Sequence, residues 1–266
     1  MEIKRILNRF WLMGAIWITL SSPVIAQVKL AEKNVETARI ENIDNKARIV
    51  VESGRPLASA ALELATQYGW QINYEDPPFL DPQDLQDVTA MVSRTPNPEH
   101  RVLFPKGGTL EAEFPLSAGK PENPAHILQS LIEAHHQKGN PGLFRLEQRG
   151  SVFTIVPTGV KDKRGQLIDQ KSLMGTHISL AIQEGTLEIM VNAITAAVTQ
   201  TSGTKVGVFT APINFFYQTK VRLNTNSGTE RDLLQSTLDA SGAKLAWQLR
   251  CDPILCGLNV FLVPGK

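Results

Sequence analysis

Hydrophobic positions along this chain switch repeatedly between two periods, and the switches mark out its elements. Arg48-Ile49-Val50-Val51-Glu52 reads as a strand ended by Ser53-Gly54. Pro56 then opens a helix with Leu57, Ala61, Leu64, Ala65 and Tyr68 on one face, and Gly69 stops it. Trp70, Ile72 and Tyr74 alternate with polar residues as a strand does, up to Glu75-Asp76-Pro77-Pro78. Residues 79–108, rich in Pro, Asp and Gly, read as a loop-like insertion. Leu110–Leu116 alternates again, and Asn123-Pro124 caps a second helix with Ile127, Leu128, Leu131, Ile132 and His135 on its apolar face. After Gly139-Asn140-Pro141-Gly142, Leu143–Gln148 and Val152–Val156 are expected to pair as a hairpin.

The resulting order, β-α-β-β-α-β-β, recurs further on. His177–Ile182 reads as a strand, Gly185-Thr186 caps a helix carrying Leu187, Met190, Val191, Ile194, Ala197 and Val198, and Gly203 ends it. Lys205–Phe209 and Tyr217–Leu223 read as strands. Asn226-Ser227-Gly228-Thr229 starts a helix with Leu233, Leu234, Thr237 and Leu238, and Lys244–Arg250 with Leu258–Val263 forms a last hairpin. Both units close alike, Val152-Phe153-Thr154-Ile155-Val156-Pro157 against Val260-Phe261-Leu262-Val263-Pro264. The expected class is therefore α+β: two modules, 47–158 and 175–266, each with two helices packed on small mixed sheets. Residues 27–46 are a polar tail and 159–174 a charged linker.

Composition adds a compartment. Lys4, Arg5 and Arg9 precede an apolar run from Phe10 to Leu20, and Ser21-Ser22-Pro23-Val24-Ile25-Ala26 puts small side chains where a signal peptidase needs them. Cleavage is expected after Ala26, giving an exported, periplasmic protein. The apolar run is too short for a spanning anchor, so any membrane association is peripheral. A net charge of +1 with no basic block gives no footprint for nucleic acid. In an oxidising compartment the only two cysteines, Cys251 and Cys256, are expected to form a disulfide across the last hairpin.

Chemistry-bearing patterns are sparse. Gly-x-Ser-x-Gly, His-Glu-x-x-His and phosphate-cradling glycine loops are missing from the sequence. His135 and His136 are adjacent, so a helix points them about 100° apart, and Glu133 with His136 reads as a surface pair near a helix C-terminus. Glu99-His100 reads as a solvated loop pair. Asp76, Asp81, Asp84 and Asp87 lack the glycine and terminal glutamate of a calcium loop. No cofactor, metal or catalytic residue is assigned. Asn214-Phe215-Phe216-Tyr217 puts three rings in a row where a strand buries one face only, so Phe215, Phe216 and Tyr217 are a candidate partner contact.

The first unit's "RPLASAALELATQYGWQINYE" resembles the helix and strand that open the short N-terminal (STN) domain of secretins and TonB-dependent receptors. "HILQSLIEAHHQKGNPGLFRLEQRGSVFTIVP" resembles that family's second helix and final hairpin, and the scheme repeats in "TERDLLQSTLDASGAKLAWQLR" and "LNVFLVP". The 79–108 insertion departs from the family pattern, and no outer-membrane barrel follows the modules. What the resemblance implies is a periplasmic, non-catalytic interaction or assembly module whose partners are envelope proteins of a secretin or TonB-type system. The alternative is a small-ligand or glycan-binding protein or enzyme using the insertion and the inter-module cleft, since long loops in compact domains are often functional.

Overall fold

The computed structural model describes residues 37–92 and 101–265. The expected signal peptide, residues 27–36 of the expected tail and the Glu99-His100 pair lie outside the described residues.

The described chain opens with β1 (Thr37–Ile43) and β2 (Lys46–Ser53), an antiparallel pair that a later strand, β6 (Gly108–Pro115), extends. Residues 37–43 were expected in the polar tail. Their Ala38 and Ile40 alternate with Arg39 and Glu41 and pack partly against the first core, a period-two signal too short to stand out among charges. Helix α1 (Pro56–Tyr68) starts at Pro56 and ends at Gly69, whose φ of 69° lets its N–H reach the Ala65 carbonyl. Strand β3 (Gln71–Glu75) follows. The insertion is built of a 3-10 turn at Pro82–Asp84, β4 (Leu85–Asp87), a single helical turn α2 (Thr89–Val92) and β5 (Leu103–Pro105), with β4 paired to β5. Then come β6 (Gly108–Pro115), α3 (Pro124–Gln137), β7 (Leu143–Arg149) and β8 (Val152–Lys161). Asn123 caps α3 by accepting from the His126 N–H.

The expected linker is itself structured. β8 runs on to Lys161, and β9 (Leu167–Asp169) folds back onto it through a turn in which Asp162 accepts from the Arg164 and Gln166 N–H groups. A 3-10 turn at Leu173–Gly175 then buries Met174 in the second core. The chain continues through β10 (His177–Ser179), β11 (Glu184–Thr186), α4 (Leu187–Ser202), β12 (Val206–Thr210), α5 (Ile213–Gln218), β13 (Lys220–Arg222), β14 (Ser227–Thr229), α6 (Glu230–Asp239), β15 (Leu245–Cys251) and β16 (Cys256–Leu262). Tyr217 was expected to begin a strand. Instead Pro212 starts α5, which buries Phe216 in the core and packs Phe215 partly against it.

The class is α+β with mixed sheets. One core gathers residues such as Leu57, Leu64, Ile72, Leu128 and Ile155; the other gathers Val191, Ile194, Leu234, Trp247 and Leu258. Each large side chain so buried contributes about 1.5–3 kcal/mol. Between them runs a seven-stranded sheet in the order β12-β16-β15-β3-β8-β7, with β9 paired to β8.

Two three-strand blocks make up most of that sheet. In β3-β8-β7 the first strand is parallel to the second and the third is antiparallel; β12-β16-β15 has the same arrangement. The blocks meet where β15 lies parallel to β3, pairing Gln248 with Tyr74 and Leu249 with Glu75. Side-chain alternation shows that the blocks turn opposite faces to their helices. Trp247 and Leu249 enter the second core, whereas Gln248 between them donates to the Ala58 carbonyl of α1. On β3, Ile72 and Tyr74 enter the first core, whereas Asn73 and Glu75 meet α6. Each block's helices therefore reach across the seam and cover the neighbour's back.

Candidate functional site

The seam concentrates the buried polar chemistry. Asn73 donates to Gln235 Oε1 at 3.0 Å and accepts from the Trp247 N–H at 3.1 Å, so its side chain stands in for a missing ladder bond. Gln71 donates to the Leu245 carbonyl at 2.6 Å. Below them Arg55 pairs with Asp76 at 2.6 Å and donates to the Cys251 carbonyl at 2.8 Å; Asp76 also accepts from Tyr74 OH and from the Cys251 N–H. A desolvated pair is costly unless its remaining lone pairs and protons are satisfied; these partners, drawn from both blocks, do that. The Arg55 guanidinium also lies 4.5 Å from the ring centroid of Phe104, which ties the insertion to the seam.

A second cluster lies under the N-terminus of α6. Glu75 accepts from Ser172 Oγ at 2.6 Å and the Met174 N–H at 3.1 Å, and lies 3.3 Å from Arg231, which also pairs with Glu147. Burial pushes the Glu75 carboxyl up, against the pull of Ser172 and Arg231. Neighbouring Glu230 is fully buried, and neither of its oxygens has a hydrogen-bond partner among the described residues. Burial, aided by the nearby Glu75 charge, pushes it up to about 9, so it is a neutral acid at pH 7. With no exposure to solvent it offers a substrate no access.

A cleft of about 240 Å³ lined by Glu147, Arg231 and Gln235 opens beside this cluster, and a larger concave surface lies elsewhere. A groove of about 670 Å³ opens between the insertion and the hairpin tip, lined by Phe79, Leu80, Leu85 and Leu103 on one side and by Pro253, Ile254 and Leu255 on the other. The tip is held on two sides. Cys251 and Cys256 form the disulfide, and Asp252 accepts from the Ile254 and Leu255 N–H groups at 2.7 and 2.8 Å. Ile254 consequently stands 74% exposed on a short, tied turn. Of the charged groups at the rim, Asp87, Arg101 and Asp252 are engaged, and Lys163 and Lys205 add two cations to the lining. Asp87 takes hydrogen bonds from the Thr89 hydroxyl and N–H and from Arg101, which hold its carboxyl down at about 2.

The residues singled out from the sequence separate in space. Phe216 is buried, Phe215 packs partly against the second core, and Tyr217 is 57% exposed. His135 is buried, its ring edge-on to Phe144 at 5.2 Å; burial first and then His136 hold it down at about 3, so it is a neutral core residue. His136 accepts from the Phe144 N–H at 2.9 Å, and Glu133 accepts from Gln129 one turn earlier. The four aspartates serve different places: Asp76 pairs with Arg55, Asp81 caps the 3-10 turn, Asp84 pairs with Lys161, and Asp87 holds Thr89 and Arg101. No group of three or more His, Cys, Asp or Glu that could hold a metal ion occurs among the described residues.

Asn73, Glu75, Arg55 and Glu230 were missed from the sequence. The available signal was weak: polar residues on one side of a strand read as solvent-facing unless a second layer is known to cover them. Comparison with protein families, curated proteins and solved structures found no match to this chain.

Proposed function

We propose that this is an exported, non-catalytic protein-interaction module of the cell envelope, working in the periplasm with a secretin- or TonB-type assembly, and that a partner protein docks in the groove beside the disulfide-tied tip. The observation that carries the reading is Ile254, held 74% exposed at the rim of a groove whose facing wall is built from Leu80, Leu85 and Leu103. Such a surface suits an apolar side chain of another protein, for which a rigid anchor is cheap to order. The acids shifted upward, Glu75 and Glu230, and His135 lie in the seam and core, away from this groove, which favours structural roles for them.

The test is capture from envelope extract with the exported full chain as bait. A stoichiometric partner retained by the wild type and lost from the Ile254→Asp variant is expected; the same partner retained equally by both contradicts groove docking. The second reading, a small ligand in the same groove, is favoured by the volume, which falls within the range of about 300–1,000 Å³ usual for such sites. It predicts a bound small molecule recovered on denaturing the protein purified from its host, and a Leu80→Asp variant that yields none.

A further inference from the structure

The seam is a joint between unlike edges, and the chain carries a second version of each edge, unoccupied among the described residues. β15, third in its block's order, docks parallel on β3, first in the other. The corresponding strands, β7 and β12, form the two ends of the sheet, and each has one strand neighbour among the described residues.

The correspondence extends to the covering helix. Counted from the N-caps Thr229 and Asn123, Gln235 of α6 matches Gln129 of α3, and Arg231 matches Ala125. Gln235 donates to Asp239 at 2.7 Å and accepts from Asn73 across the seam; Gln129 donates to Glu133 at 3.2 Å on an exposed surface. Counted from the left-handed glycines Gly69 and Gly203, Asn73 matches Gly207 and Glu75 matches Phe209. Where the internal joint sets Arg231 against Glu75, the two free ends offer Ala125 and Phe209, an apolar pair in place of an ionic one. Phe209 lies over Gly257, where an added Cβ would come within 2.2 Å of its ring, and Phe209 and Phe261 remain only half-buried. The strand directions agree as well. The seam reverses strand direction from one block to the next while keeping β15 parallel to β3, so a second reversal would bring another chain's β12 parallel to β7.

We propose that the partner at this surface is a second copy of the chain, joined head to tail, with β7 of one copy added parallel to β12 of the next and α3 laid over Phe209. An edge-to-edge joint between unlike surfaces closes into a ring or extends as a filament. The inference deepens the interaction reading but uses different residues from the groove, so each can fail alone.

Sedimentation velocity of the exported full chain over about 1 μM to 1 mM tests it by mass action. The wild type is expected to form species larger than a dimer as concentration rises. Gln129→Lys on α3 and Phe209→Lys on β12 should each weaken association at least about tenfold. Mixed together, the two variants should form a one-to-one dimer and nothing larger, because each keeps one intact end; that recovery also shows that both are folded. A wild type that stays monomeric throughout overturns the proposal, as does association that survives both substitutions. A self-association result of either kind leaves the Ile254-dependent capture to stand or fall separately.

Discussion

The two three-strand blocks share one arrangement, yet their backs differ in character. Behind β3 the first half carries Gln71, Asn73 and Glu75, all buried, with Asn73 and Glu75 bonded to α6. Behind β12 the second half carries Gly207 and Phe209 at the corresponding positions, and these remain part-exposed. The lesson is that a repeated strand does not fix the chemistry of its outer face; what lies on that face does. Polar residues are retained at the seam because they replace ladder bonds that a junction of only two paired residues leaves unmade.

The difference predicts where the molecule breaks. Arg55→Met leaves Asp76 buried without its cation and should cost about 3–5 kcal/mol, read as a lower denaturation midpoint. A loss under about 1 kcal/mol would mean the pair behaves as a surface bridge and the seam is not held there.

Glu230 and His135, one per half, sharpen the comparison through pH. Glu230 has a folded pKa of about 9, above its usual value of 4.5, so the unfolded chain ionises first and stability falls as pH rises from about 4.5 towards 9. Glu230→Gln removes that penalty and should stabilise the protein by about 3 kcal/mol at pH 7 while flattening the alkaline limb. His135 runs the other way. Its folded pKa of about 3 lies below the usual 6.5, so the unfolded chain takes up a proton first and stability falls as pH drops from about 6.5 towards 3. By pH 5 this amounts to about 2 kcal/mol. Midpoints of His135→Leu measured between pH 5 and 8 should lack that acid slope; an unchanged slope would place the acid sensitivity elsewhere.

Cys251→Ser opens the short loop at the hairpin tip and should cost about 2 kcal/mol, measured by thermal melting under oxidising conditions. The smallest effect is expected at Tyr217→Ser, within about 0.5 kcal/mol, because the ring is mostly in solvent. A larger loss would show that α5 is anchored through it.

Much of the fold can be read from punctuation. Pro56 with Gly69, Asn123 with Pro124, Thr186 with Gly203, and Thr229 each stand at the helix boundary that capping chemistry assigns them, and the cysteines pair across the hairpin as their spacing suggests. What escaped were features decided by distant contacts. β1 hides in a charged segment because only Ala38 and Ile40 reach the core. α5 was hidden by its three rings, although Pro212 followed by Ile213 and Phe216 carries the three-residue spacing of a helix. Asn73 and Glu75 read as the wet side of a strand, because local alternation does not encode a second layer supplied by residues more than 150 positions away. The groove was foreshadowed only through the insertion. Its other wall, the disulfide-tied tip, becomes a wall only once β15 joins β3.

The central functional claim is that a partner protein meets the molecule at the tied tip. A photo-crosslinking residue placed at Ile254 in intact cells tests it most directly, with the same residue at the exposed Ile43, beside the turn of the β1–β2 hairpin, as a control. One dominant envelope protein attached through position 254 and not through 43 is the predicted result. No protein attached at 254, or the same set attached at both positions, would contradict the account.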